Sequence, residues 1–276
     1  MNFLRTGLLL VVMGALAVAI GGYFFGVRGA AIGLLVALVF QSVAFFNGHK
    51  IALRMAQAVP IQEVAGRLDW LIAANEQLAQ RAGIPAPALY ISPDPQPNAF
   101  AAGRNPRVAV VCINEGLFRI MSRDEVIAVL AHEIAHVRNR DSLIMTVTAS
   151  FATFISFLAN IAWFIPRGDN EDRNPIVDLL VMLLAPITAT LIQLAVSRTR
   201  EFSADRTAAE LMGNARPMIG ALQALERGIE MVPSPLARPE TAHMYIASPF
   251  VGGGLMNLFR THPSTEDRIR ALSQVR

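Results

Sequence analysis

Residues 122–141 read SRDEVIAVLAHEIAHVRNRD. Ser122, followed three residues later by Glu125, forms a capping box that starts a helix at a defined place. Val126, Val129, Leu130, Ile134 and Val137 then recur at helical spacing and give that helix one apolar face. His132 and His136 stand four apart, so both imidazoles lie on one side and reach a single ion. Glu133, next to the first histidine, reaches a water on that ion and takes its proton. The run His132-Glu133-Ile134-Ala135-His136 thus carries the logic of a zinc hydrolase. The metal supplies a nucleophile near neutral pH and polarises a carbonyl, while the glutamate shuttles protons.

A tetrahedral catalytic zinc needs a third protein ligand and keeps one position open. Cys112 and the remaining histidines qualify by type. A better candidate lies far downstream, in Arg200-Glu201-Phe202-Ser203-Ala204-Asp205, where two carboxylates again stand four apart on one helical face. Glu201 is placed to ligate the metal, and Asp205 to accept the far ring N–H of a ligating histidine. Such a bond fixes the tautomer and strengthens the ligand.

What separates these two motifs decides the setting. The chain has 276 residues, 53% hydrophobic and 16% charged; its mean hydropathy is +0.43. Soluble domains carry about 25% charged residues, so a fully soluble protein is not expected, and disorder is excluded by the apolar content. Four runs hold no charged residue: 6–27, 29–48, 142–166 and 179–197, which are 22, 20, 25 and 19 residues long. A helix crossing the hydrocarbon core needs about 20. The first run is too long for the apolar core of a signal peptide, about 7–15 residues, and a second follows at once. The first two therefore read as a transmembrane hairpin. The third and fourth read as further membrane helices, with a buried helical pair as the alternative.

Seven basic residues flank one side of these runs (Arg5, Lys50, Arg54, Arg138, Arg140, Arg198, Arg200), against three on the other (Arg28, Arg167, Arg173). The positive-inside rule places both termini and the metal motifs in the cytoplasm. The 24 basic residues nearly balance the 21 acidic ones, with no basic block of the kind that grips nucleic acid. The single cysteine, Cys112, excludes an internal disulfide framework and reads as a small buried hydrophobe. Between the hairpin and the third run, 61–82 reads as an amphipathic helix ending at Gly83. Strand-like runs follow at 88–92, 98–103 and 107–113, the last two joined by the turn Gly103-Arg104-Asn105-Pro106. Pro263 reads as the first residue of a short last helix, and residues 231–257 show no clear period.

Taken together, HEIAH, two intervening apolar runs and then SRTREFSAD resemble the HtpX-like family of membrane zinc metalloproteases. The similarity covers essentially the whole chain, including the hairpin, the strand motif Asn98-Ala99-Phe100-Ala101-Ala102-Gly103 and Thr261-His262-Pro263. It implies a mainly α integral membrane protein: four transmembrane helices plus a cytosolic zincin-like (α+β) metalloprotease domain. Residues 1–48 would form the membrane hairpin, and 49–276 a protease domain interrupted by membrane helices at 142–166 and 176–197. His132, His136 and Glu201 would bind one Zn2+, Glu133 would act as general base, and Asp205 would support a ligand. His262 and Arg268 would stabilise the oxyanion, and Asn98, Ala99 and Phe100 would pair with extended substrate. The implied role is quality control in the bacterial inner membrane, with misfolded membrane proteins as substrates and the bilayer as partner. Two other readings remain: a prenyl-peptide or lipoprotein protease, and a non-enzymatic scaffold or transporter. A transporter predicts ionisable residues within the spans, and the four runs hold none.

Overall fold

The computed structural model describes residues 2–64, 68–148, 198–232, 246 and 263–275. Helix α1 (Asn2–Met55) is folded back on itself at Gly26, whose φ of 61° and ψ of −150° belong to glycine. Its two limbs touch along their backbones: Gln41 Nε2 donates to the Leu10 carbonyl at 3.0 Å. A Cβ on Gly21 would strike the Gly29 carbonyl, and one on Gly33 would strike that of Ala17. Small residues permit this close approach, as in membrane helix pairs. Leu8, Val11, Phe25, Val27 and Ile32 face outward. Among the described residues, Phe25–Met55 is the one helix long and apolar enough to cross a membrane, and a shorter apolar helix, Leu10–Tyr23, precedes it.

The chain then makes strand β1 (Val59–Pro60), a 3-10 turn (Ile61–Val64) and helix α2 (Asp69–Ala82). The helix expected from residue 61 therefore begins at Asp69, after the 3-10 turn. It ends where the sequence indicates, at Gly83 with φ 70°. Strands β2 (Ala88–Ser92), β3 (Ala99–Ala102) and β4 (Val110–Asn114) follow. The third expected strand starts late because Asn105 Oδ1 accepts the Arg107 N–H and opens a short 3-10 turn.

The sheet order is β1-β2-β4-β3, with β2 parallel to β4 and the other pairs antiparallel, so β3 is an edge. Both faces are covered, which explains strands without polar alternation. Leu89, Ile91, Ala99, Ala101, Val111 and Ile113 join the main core beneath the helices. Phe100, Ala102, Val110 and Cys112 point the other way, against Leu53 and its neighbours at the end of α1. Cys112 is buried there, and its thiol is pushed upward in pKa by burial.

Helix α3 (Glu115–Ile120) leads to α4 (Arg123–Arg138), capped by Ser122 and Glu125 as the sequence predicts. A helical stretch at 141–148 opens the third apolar run. The rest of that run and all of the fourth lie outside the described residues. The chain continues in α5 (Arg198–Met212), α6 (Arg216–Met231) and α7 (Thr265–Leu272). Ser264 rather than Pro263 sets the start of α7, since its side chain accepts the Asp267 N–H.

Candidate metal centre

Helix α4 packs its apolar face on the sheet, the small Ala99 and Ala101 letting it come close, and α5 lies beside it. Their contact brings together His136 and Glu201, which have 64 residues between them in sequence. The two histidine Nε2 atoms are 3.1 Å apart. Glu201 closes the triangle, with Oε2 3.7 Å from His132 Nε2 and Oε1 3.6 Å from His136 Nε2. Tetrahedral ligands at about 2.0–2.1 Å from a zinc ion stand about 3.3 Å from each other. The three side chains fit such an ion, and they form the metal-type cluster found among the described residues. Cys112 faces the opposite side of the sheet. Of the other histidines, His49 lies in α1, and His243 and His262 are outside the described residues.

Each histidine turns its second nitrogen to a carboxylate. His132 Nδ1 is 2.9 Å from Asp205 Oδ1, and His136 Nδ1 is 3.3 Å from Asp141 Oδ2. A proton held on each Nδ1 would leave both Nε2 lone pairs for an ion placed between them and Glu201. Arg268 supports the first arm, with Nε and Nη2 each 2.7 Å from the two Asp205 oxygens. Burial works against the Asp205 charge, but the guanidinium outweighs it and holds the carboxyl down to about 2. At His136 burial likewise opposes the cation; the bond to Asp141 and the charges of Glu201 and Glu133 overcome it, raising the pKa to about 9.

Glu133 is 2% exposed, and burial pushes its pKa up, opposed by the two histidines. The Ala101 N–H donates to its carboxylate, while Oε2 has no hydrogen-bond partner in the protein. A buried, unpaired carboxylate oxygen beside a metal-type cluster is an acceptor waiting for a proton donor.

The expected substrate strand is in place next to this glutamate, but its side chains are engaged. Asn98 Oδ1 accepts the Ile246 N–H at 3.0 Å, and Phe100 packs toward α1. The Asn98 carbonyl accepts from Asn114 N–H; by antiparallel alternation, Asn98 and Phe100 turn their main chains to β4, and Ala99, Ala101 and Gly103 turn theirs outward. Gly103 is already taken: its N–H donates to Thr146 Oγ1 at 3.2 Å and its carbonyl accepts from Ser142 Oγ at 3.2 Å. Arg268, expected at the oxyanion, has its guanidinium on Asp205 and on the Ile246 carbonyl at 2.8 Å. The sequence reading missed Asp141 and Ala101. Its position five residues past His136 was the only signal for Asp141; none existed for a main-chain amide.

A helix bearing both histidines, a glutamate from a second helix that closes the triangle and an apolar hairpin are the features expected of a membrane metalloprotease. A model of Peptidase family M48 matches residues 66–276. A Protease HtpX homolog from Burkholderia thailandensis is 42% identical, covering 99% of this chain and 97% of its own. One from Methylibium petroleiphilum is 44% identical over 98% and 96%. The chain belongs to Peptidase family M48 and within it to the HtpX-like metalloproteases, a family that is zinc-dependent in general. The crystal structure of S. mikatae Ste24p is 20% identical with a TM-score of 0.49, over 98% of this chain and 65% of that one.

Proposed function

We propose that this protein is a zinc-dependent endopeptidase, holding one Zn2+ on His132, His136 and Glu201. We further propose that it cleaves misfolded or damaged membrane proteins at the cytosolic face of a bacterial inner membrane, with both termini cytoplasmic. The convergence of those three side chains, with the Glu133 carboxylate buried beside them, carries the reading. A bound zinc ion supplies Lewis acidity, bringing the ionisation of water toward neutral pH and polarising a carbonyl. Glu133, made more basic by burial, takes the proton from the attacking water and passes it to the leaving amine. Asp205 holds the His132 ring, and Arg268 acts on the centre through Asp205. His262 is assigned to the oxyanion by the family resemblance.

Substrate recognition is assigned to the β3 edge at Asn98, Ala99 and Phe100. The outward main chain of Ala99 and the Ala101 carbonyl offer pairing groups to an extended peptide. The apolar hairpin and the arginine bias of its flanks support the membrane setting and the cytosolic orientation. The test is metal content and casein cleavage of the purified full-length protein beside Glu133→Gln. Both proteins are expected to carry one zinc per chain, and the variant to lose about 10²–10⁴-fold in proteolysis. A variant within a few-fold of the parent would remove Glu133 from the chemistry.

A further inference from the structure

Helix α4 ends at Arg138, and Asn139 closes it in a right-handed conformation. Arg140 then takes a φ of 60°, the left-handed region that side-chain-bearing residues avoid. This turn brings Asp141 back under the helix it has just left. Asp141 is 2% exposed. One oxygen, Oδ2, meets His136 Nδ1 at 3.3 Å; the other, Oδ1, lies 3.9 Å from Nε of Arg200, the residue before Glu201. The arrangement repeats the opposite arm, where Asp205 joins His132 to Arg268. In both, a carboxylate from outside the histidine pair grips the ring nitrogen that faces away from the cluster, and an arginine stands behind it.

We propose that Asp141 is a positioning residue of the metal centre. By accepting the Nδ1–H of His136 it fixes the ring with Nε2 toward the ion, and through Arg200 it ties the end of α4 to the start of α5. The inference rests on the reading of His132, His136 and Glu201 as ligands. Its consequence reaches beyond the ring. Ser142 and Thr146, on the same helical stretch, hold the carbonyl and N–H of Gly103 at the end of β3. The helical stretch 141–148 thus contacts His136 and the end of the edge strand at once.

The test uses full-length protein in detergent, with Asp141→Ala and the isosteric Asp141→Asn. Zinc affinity is read by competition with a chromophoric chelator, and ligand geometry by the visible absorption of the Co2+-loaded protein. Asp141→Ala is expected to lose about 10–100-fold in zinc affinity and to shift the Co2+ bands. Asp141→Asn, whose amide oxygen still accepts the Nδ1–H, is expected to recover part of both. Should the alanine variant not fold, the asparagine variant carries the test with a several-fold loss. If the parent binds zinc and the folded variants bind it equally, with unchanged Co2+ spectra, the role of Asp141 is overturned. A parent that takes up neither metal overturns the ligand reading itself, and this inference with it.

Discussion

Arg268 is one of the most deeply buried charged residues among those described. The residue is 1% exposed, and its guanidinium spends three nitrogens on Asp205 and on the Ile246 carbonyl. Burial lowers the tendency of such a group to stay charged, but Asp205, Glu201 and Glu133 more than restore it. Breaking one partner of a buried pair leaves an uncompensated charge, which costs about 3–5 kcal/mol. Arg268→Met is therefore expected to lower the unfolding free energy by that amount, measured by thermal or denaturant unfolding in detergent. A loss under about 1 kcal/mol would mean that water already reaches Asp205. At this scale the sequence was legible wherever helical spacing alone brings side chains together: His132 with His136, and Glu201 with Asp205. It was not legible for Asp141, because its place depends on one left-handed residue, Arg140, that no pattern announces. Nor did it show what Arg268 touches, since that partner comes from α5.

The element that matters most is α4, and its register is fixed at its start. The Ser122 side chain accepts the Glu125 N–H, and Glu125 reaches back to the Ser122 N–H at 2.8 Å. Gly220 of α6 lies so close that a Cβ there would strike the Glu125 carboxylate, so the cap is also a packing contact. Ser122→Ala is expected to cost about 0.5–2 kcal/mol, seen as a lower unfolding midpoint with little change in zinc content, because His132 lies nearly three turns (~2.8) further on. A loss of zinc in the folded variant would show that the first turn sets the ligand geometry after all. The side-chain cap at Ser122 was readable in the sequence, and so was the glycine stop at Gly83, whereas the Ser264 cap was not. The start of α2 was not, because the apolar pattern of 61–82 does not distinguish the 3-10 turn Ile61–Val64 from the helix that follows. The edge position of β3 follows from strand order, which side-chain patterns do not encode.

Across the whole molecule, α4 and α5 are divided by two apolar runs, yet they meet directly. His132 reaches Asp205, Asp141 reaches Arg200, and Ala208 shares a core with Val129 and Ile134. The register of the metal ligands therefore has a source outside 149–197. Closing so long an insertion is thermodynamically mild, about 0.6 kcal/mol per doubling of its length. What the third run adds at its beginning is specific: the Ser142 and Thr146 hydroxyls on Gly103. Two such hydrogen bonds contribute about 1 kcal/mol each, about 30-fold together when expressed as a ratio. Replacing 149–197 by a short Gly/Ser linker keeps both, whereas replacing 142–197 removes both and leaves Asp141 in each protein. The shorter excision is expected to bind zinc and cleave casein. The longer one is expected to cleave it about 30-fold less efficiently, with the deficit in kcat/KM because the edge strand loses its anchor. Equal casein cleavage by the two would make the Gly103 contacts irrelevant to catalysis; inactivity of both, with zinc still bound, would make the apolar runs themselves part of the catalytic unit.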